Sequence, residues 1–353
     1  MKKLITKLLV LTILLGSVGC TPKRQLISYT VYPVGFLLDR IVMDEGDIES
    51  IQENTIVQKT TLKSNYKSTL ENSYLFFHIG DLEPYFATNQ EDINETGVNQ
   101  IDLSNLNTIY KFQRYTRVLV DHHETFVEGP YYEGKEFNLV DIDDRDLFLW
   151  TDPIGMVSMG NTITDYLASN YVEKASIFKD NFNKLRFELY RLDEQFRDLA
   201  TKNLEENKEI KFVSMTGSFN SWQKNYGFQT YPVMLSKYGA LPTDEQLDVI
   251  KNKIIKDKVK YIAYEPNMTQ DMIDLFGKLA DELGLQRVNL SNLSSLNETQ
   301  IESGQNYLTI MYENLATLEN MTESLDDEVT EEIKDETKEE LENNKDSEEK
   351  KDE

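Results

Sequence analysis

Apolar residues in the middle of this chain fall at Phe178, Phe182, Leu185, Leu189, Leu192, Phe196 and Leu199, with Lys, Arg, Glu and Asp filling the gaps. Alternating steps of four and three lay one apolar stripe along a helix. Neither proline nor glycine interrupts Asn161 to Glu206, so one helix, or two abutting ones, is predicted over most of that stretch. A coiled-coil partner would also account for the spacing. Three heptads are few and strand patterns flank both sides, which favours a stripe buried within the chain.

On either side the pattern changes. ISYTVYPVGFLLDRIV starts as a strand and turns helical, and YLFFHIG (Tyr74 to Gly80) is a near-continuous apolar run of the kind buried parallel strands show. RVLVD (Arg117 to Asp121) is a further strand candidate. Beyond the helix, KFVSMTG reads as strand, SFNSWQKNYG as a helix ending at Gly227, and TDEQLDVIKNKIIKDK as a helix after TYPVM. KYIAYEP (strand), TQDMIDLFGKLADELG (helix stopped by Gly284), RVNLSNL (strand) and a helix around Tyr307 to Leu318 complete the order. Thr243 and Thr269 stand where N-caps belong, each with acids following.

Strands alternating with helices of this length imply parallel sheets. The predicted fold class is α/β, with two lobes, each holding a mainly parallel sheet, linked by one long helix. The boundaries are residues 20–160 for the N-terminal lobe, 161–206 for the linking helix and 207–321 for the C-terminal lobe. Ligands of open parallel sheets sit beyond the carboxyl ends of the strands. That rule points to the loops after Gly80, Asp121, Met215, Glu265 and Leu290.

The two ends have other compositions. Residues 1–19 carry Lys2, Lys3 and Lys7, then the apolar run Leu8 to Leu15, then small residues, which is the order of a secretory signal peptide. Cys20 follows and is the only cysteine, so the fold uses no disulfide. The segment resembles a bacterial lipoprotein signal, whose cysteine is lipid-modified, although Ser17 stands where such signals usually carry Leu. Each buried acyl methylene adds roughly 0.8 kcal/mol of membrane affinity, so this anchor would place the chain on the outer face of the cell membrane. Residues 322–353 form an acidic tail in which Leu325 to Glu353 hold 15 acids, 5 lysines and no aromatic residue. That composition predicts a solvated, disordered segment. The formal net charge is −25, and no basic stripe is present, which excludes nucleic acid as a partner.

The order of these segments resembles the extracytoplasmic solute-binding proteins of zinc and manganese ABC importers, in which a rigid helix joins two lobes and the metal lies between them. LENSYLFFHIGDLEPYF, DLFLWTDP, SMTGSFNSWQKNYGF and YIAYEPN carry the likeness; DLFLWTDP matches the family's DPHVWLDP. The resemblance covers residues 27 to 320 and implies a periplasmic-binding-protein-like fold, a monomer, a divalent zinc or manganese ion as cargo, and an ABC permease and ATPase as partners.

Family members hold metal through three histidines and a carboxylate, donors suited to a divalent transition ion. By the same alignment those positions fall on Gln58, Phe148, Thr216 and Asn292, none with the expected ligand chemistry. The chain has only three histidines. His78 ends the YLFFHIG strand, facing the expected cleft, with a core role favoured. His122 and His123 follow RVLVD, where the family often carries a histidine-rich loop, and are weak metal candidates. Asp152 and Glu265 lie in matched motifs, where acids usually cap helices or satisfy backbone amides. VDIDDRD lacks the glycine and the distal glutamate of a calcium loop. Tyr66, Phe148, Trp150, Phe219, Trp222 and Tyr226 could line a cleft for an organic ligand, although core filling is the stronger expectation. No catalytic triad, Cys/His pair or phosphate-cradling loop is present, so no enzyme is predicted. The reading is a lipid-anchored solute-binding protein with a degenerate metal site. The alternative is a surface adhesin or accessory interaction protein that keeps the fold without metal.

Overall fold

The computed structural model describes residues 25–106, 109–120, 123–146 and 148–324; Cys20, His122, the expected signal and residues 325–353 lie outside them. The N-terminal lobe comprises β1 (Leu26–Tyr29), α1 (Tyr32–Val42), β2 (Asp47–Ser50), α2 (Tyr66–Asn72), β3 (Ser73–His78), α3 (Pro84–Glu95) and β4 (Asn99–Asp102). Its four strands are parallel, in the order β2-β1-β3-β4. Both faces of the sheet are covered, which explains the unbroken apolar run in β3. Leu75 and Phe77 enter the main core with α1, whereas Phe76 enters a smaller cluster with Tyr85, Phe86 and Ile93.

Arg117 to Val120 of the RVLVD candidate form strand, but not as part of that sheet. They belong to β5 (Arg114–Val120), which pairs antiparallel with β6 (His123–Gly129) in a hairpin. The hairpin docks on the C-terminal lobe: Gln229 Nε2 donates to the Tyr115 carbonyl at 3.1 Å, and Arg114 Nη2 donates to the Tyr231 hydroxyl at 2.9 Å. Tyr131 and Tyr132, which follow, are buried in the core of that lobe.

The predicted linker is two helices. α4 (Pro153–Asn170) ends at Tyr171, a 3-10 turn spans Val172–Lys174, and α5 runs from Ala175 to Glu205. They fold back on each other, and Gly160 lies so close to the Phe182 ring that a Cβ would sit 2.2 Å from a ring carbon. All seven residues of the α5 stripe are buried in the main core with α1, α4 and the C-terminal helix. The stripe is therefore satisfied within the chain.

The C-terminal lobe contains β7 (Lys208–Glu209), β8 (Lys211–Ser214), α6 (Asn220–Tyr226), β9 (Gln229–Pro232), α7 (Asp244–Lys256) and β10 (Tyr261–Tyr264). α8 (Gln270–Leu283), β11 (Gln286–Asn289), α9 (Glu298–Glu302), α10 (Tyr307–Glu319) and β12 (Glu323–Ser324) complete it. Its sheet is parallel, in the order β11-β10-β8-β9, and β12 pairs antiparallel with β7. Thr243 caps α7 in a full capping box with Gln246. Thr269 precedes α8, but its hydroxyl bonds the Asp271 carboxylate instead of a backbone amide. Gly227 and Gly284, at φ 75° and 64°, end their helices in the left-handed region that a glycine enters without steric cost.

The two lobes touch directly. The segment between β2 and α2 reaches across the cleft, where Asn54 Nδ2 donates to the Leu296 carbonyl at 2.8 Å and Ser295 Oγ to the Thr55 carbonyl at 3.2 Å. Lys59 Nζ meets Asp271 Oδ2 at 2.5 Å.

Candidate functional site

The four positions matched to family ligands converge between the lobes. Each lies where a strand or turn delivers it: Gln58 on a 3-10 turn after β2, Phe148 just before another at Leu149–Thr151, Thr216 past the carboxyl end of β8, and Asn292 past that of β11. All four are buried.

Glu265, beyond the end of β10, joins two of them and is fully buried. Its Oε2 accepts from the Thr216 hydroxyl at 2.6 Å and from Asn292 Nδ2 at 2.7 Å. Its Oε1 accepts from the backbone N–H groups of Met215 and Thr216 at 2.6 and 2.9 Å. Burial pushes this carboxyl above its ordinary range, and the hydrogen bonds from Thr216, Asn292 and Met215 pull the other way. The loop ends of β8, β10 and β11 are thereby tied to one carboxylate. Asn292 is further held through its carbonyl, which accepts from Trp150 Nε1 at 2.6 Å.

The other two positions line what space remains. Gln58, Phe148 and Gly217 surround a cavity of about 10 Å³ together with Phe112, Asp143, Arg145 and the chain from Met234 to Lys237. That is about the room one water needs. The Phe112 ring fills the space beside the third position so closely that a Cβ on Gly217 would lie 2.3 Å from it. Among the described residues no group of three or more His, Cys, Asp or Glu side chains is placed to hold a metal ion.

The expected outlying candidates go elsewhere. His78 does not face the cleft. Its ring stacks on Phe86 at 4.3 Å, and its Nδ1 accepts the Gly80 N–H at 3.0 Å. Burial lowers its pKa to about 4, against the pull of Asp102. Tyr66 is also away from the cleft, donating to Asp92 Oδ2 at 3.0 Å on the N-terminal lobe. Phe219, Trp222 and Tyr226 are buried around Phe196, and Trp150 is buried against the Phe148 ring, as core and not as a ligand surface. Asp152 caps α4, accepting the Ile154 N–H at 2.9 Å, and burial raises its carboxyl to about 6. His123 opens β6.

Sequence reasoning set Asp146 aside with the rejected calcium-loop run VDIDDRD and passed over Asn220 and Phe112. Asp146 is buried, raised by that burial to about 7, and accepts from the Phe148 N–H at 3.1 Å and from Asn220 Nδ2 at 3.0 Å. It thus fixes the backbone that carries the Phe148 ring. The rule of strand carboxyl ends, applied to TYPVM as well, would have reached the Met234–Lys237 wall.

Residues 27–321 match the family described as zinc-uptake complex component A, periplasmic (ZnuA). The zinc-binding lipoprotein AdcA of Streptococcus pneumoniae is 26% identical over 196 residues, which is 56% of this chain and 37% of that protein. The high-affinity zinc uptake system protein ZnuA of Bacillus subtilis is 25% identical over 175 residues, 50% of this chain and 53% of its own. The chain spans less than two thirds of the length of these curated relatives. Among solved structures, Zn(II)-bound AdcA of Streptococcus pneumoniae superposes with a TM-score of 0.61 at 20% identity, covering 84% of this chain and 57% of that one. The laminin binding protein of Streptococcus agalactiae, described as bifunctional with adhesin and metal transporting activity, gives 0.65 at 17%, covering 84% and 99%. These structures share the fold, and the family match runs through both lobes and the helices between them. The chain belongs to the ZnuA family of periplasmic zinc-uptake components.

Proposed function

We propose that this protein is an outward-facing solute-binding component of a zinc- or manganese-type ABC uptake system, anchored through Cys20 and working as a monomer with an ABC permease and ATPase, in which the ancestral metal site is degenerate. One observation carries the second half of that reading. The hydroxyl of Thr216 and the amide of Asn292 both donate to Glu265, so the side chains in two ligand positions are spent on a carboxylate. Phe148 contributes a ring with no lone pair at a third. Removing only outer hydrogen-bond partners of a metal site typically weakens it 10- to 100-fold, and here the coordinating atoms themselves are replaced.

Calorimetric titration of the purified chain with zinc tests this. The expected result is no one-to-one binding tighter than about micromolar, roughly 8 kcal/mol. A nanomolar single-site isotherm overturns the degenerate-site reading and leaves metal capture in its place.

The laminin-binding relative supports a second reading, a surface interaction protein built on the same lobes. A laminin-coated surface that retains the purified chain in the presence of a chelator favours it over transport.

A further inference from the structure

Beside the ancestral cleft, the segment from Pro130 to Ile142 folds over the C-terminal lobe and leaves an open pocket of about 400 Å³. That volume lies in the range of small-molecule sites, which are mainly apolar with a few placed polar groups. Four rings in succession form its wall. The centroids of Phe112 and Tyr131 lie 5.3 Å apart, those of Tyr131 and Tyr132 6.5 Å, and those of Tyr132 and Phe137 5.6 Å.

Both tyrosine hydroxyls are engaged elsewhere. Tyr131 donates to Asn220 Oδ1, and Tyr132 donates to the Pro232 carbonyl at 3.0 Å. What they offer a ligand is therefore ring carbon. Among the described residues Glu133 is the one side chain lining the pocket that is charged at neutral pH, and no lysine or arginine lines it. Ring faces carry a negative quadrupole that attracts cations. A carboxylate adds to that attraction, and a chain of net charge −25 raises the local concentration of cations. An anion would be repelled, and a neutral apolar molecule would gain nothing from Glu133.

We propose that this pocket binds a small organic cation of the alkyl- or quaternary-ammonium type, with its headgroup against the aromatic wall and close to Glu133. The site is separate from the four positions of the metal-type cleft. The proposal does not depend on whether zinc binds there.

Choline and its neutral isostere 3,3-dimethylbutan-1-ol, each titrated calorimetrically into the purified chain, test the proposal. Choline is expected to bind one-to-one, at least fivefold tighter than the isostere. Glu133→Gln and Phe137→Ala are each expected to weaken choline at least fivefold. Glu133 is exposed, so its variant keeps the test valid should Phe137→Ala lower the melting temperature. Absent choline binding, equal binding of the two probes, or undiminished binding to a folded Glu133→Gln variant overturns the proposal. Because these readouts use no metal, their failure is distinct from a failure of the degenerate-site reading.

Discussion

Asn292 and Thr216 share one oxygen of Glu265, at 2.7 and 2.6 Å, from loops that follow different strands of the C-terminal sheet. A hydrogen bond to a charged group contributes about 1.5–3 kcal/mol net, and a buried donor left without its acceptor adds a desolvation cost. Truncation of the acid strips four donors at once. Glu265→Ala is therefore expected to destabilise the chain by about 3–5 kcal/mol, read as a fall in the urea midpoint. A loss under about 1 kcal/mol shows that the loop ends are held by something else.

Glu83 offers a pH test. Its Oε2 accepts the Ile79 N–H at 3.1 Å, and burial raises its carboxyl from 4.5 to about 7, opposed by that hydrogen bond. Between those values the native chain keeps a proton that the unfolded chain has released. This contribution to stability is complete below about pH 4.5 and is lost as the pH rises through 7. Glu83→Gln, neutral throughout, is expected to flatten the fall in unfolding free energy between pH 5 and 8 by about 2–3 kcal/mol. An unchanged slope in urea melts at the two pH values removes Glu83 from the account.

His78 behaves in the opposite sense. With its pKa lowered from 6.5 to about 4, it stays neutral where the unfolded chain is already protonated, so it favours the native state above pH 6.5 and costs stability as the pH falls toward 4. Because Nδ1 accepts from Gly80, the neutral ring carries its proton on Nε2. Nitrogen-15 NMR of the ring is expected to show that tautomer, with no titration between pH 5 and 8. A midpoint near 6.5 shows a solvated ring.

Gly160 and Phe182 fix how α4 lies against α5. Alanine in a helix is ordinarily about 1 kcal/mol better than glycine. Here its Cβ would sit 2.2 Å from the Phe182 ring, and overpacking of that kind costs about 1–3 kcal/mol or more. The clash wins, so Gly160→Ala is expected to destabilise by about 1–2 kcal/mol. Combining it with Phe182→Leu in a double-mutant cycle should return a coupling of at least about 1 kcal/mol. Additive effects mean that the two residues do not meet.

The local signals were legible where one segment carried its own instructions. The α5 stripe, the Thr243 cap and the glycines ending α6 and α8 all act within a turn or two of chain. The break at Tyr171 had no proline or glycine to announce it, and beyond it α4 and α5 pack closely, as at Gly160 and Phe182. The β5–β6 hairpin was legible as a strand only. Its docking depends on Gln229 and Arg114 bonds between segments more than 100 residues apart. At the site, aligned motifs named Gln58, Phe148, Thr216 and Asn292 as the positions to examine. Glu265 as the group that ties two of those positions together was not legible in them.

Alternation and periodicity were enough to determine two α/β lobes with long helices between them, since burying an apolar face depends on residue order along a single element. Which buried polar groups answer one another was decided only when the chain closed. Carboxylates such as Glu265 and Asp146 must find donors once water is removed, and those donors came from loops distant in sequence. The contents of the cleft, and the aromatic pocket beside it, are consequences of that pairing.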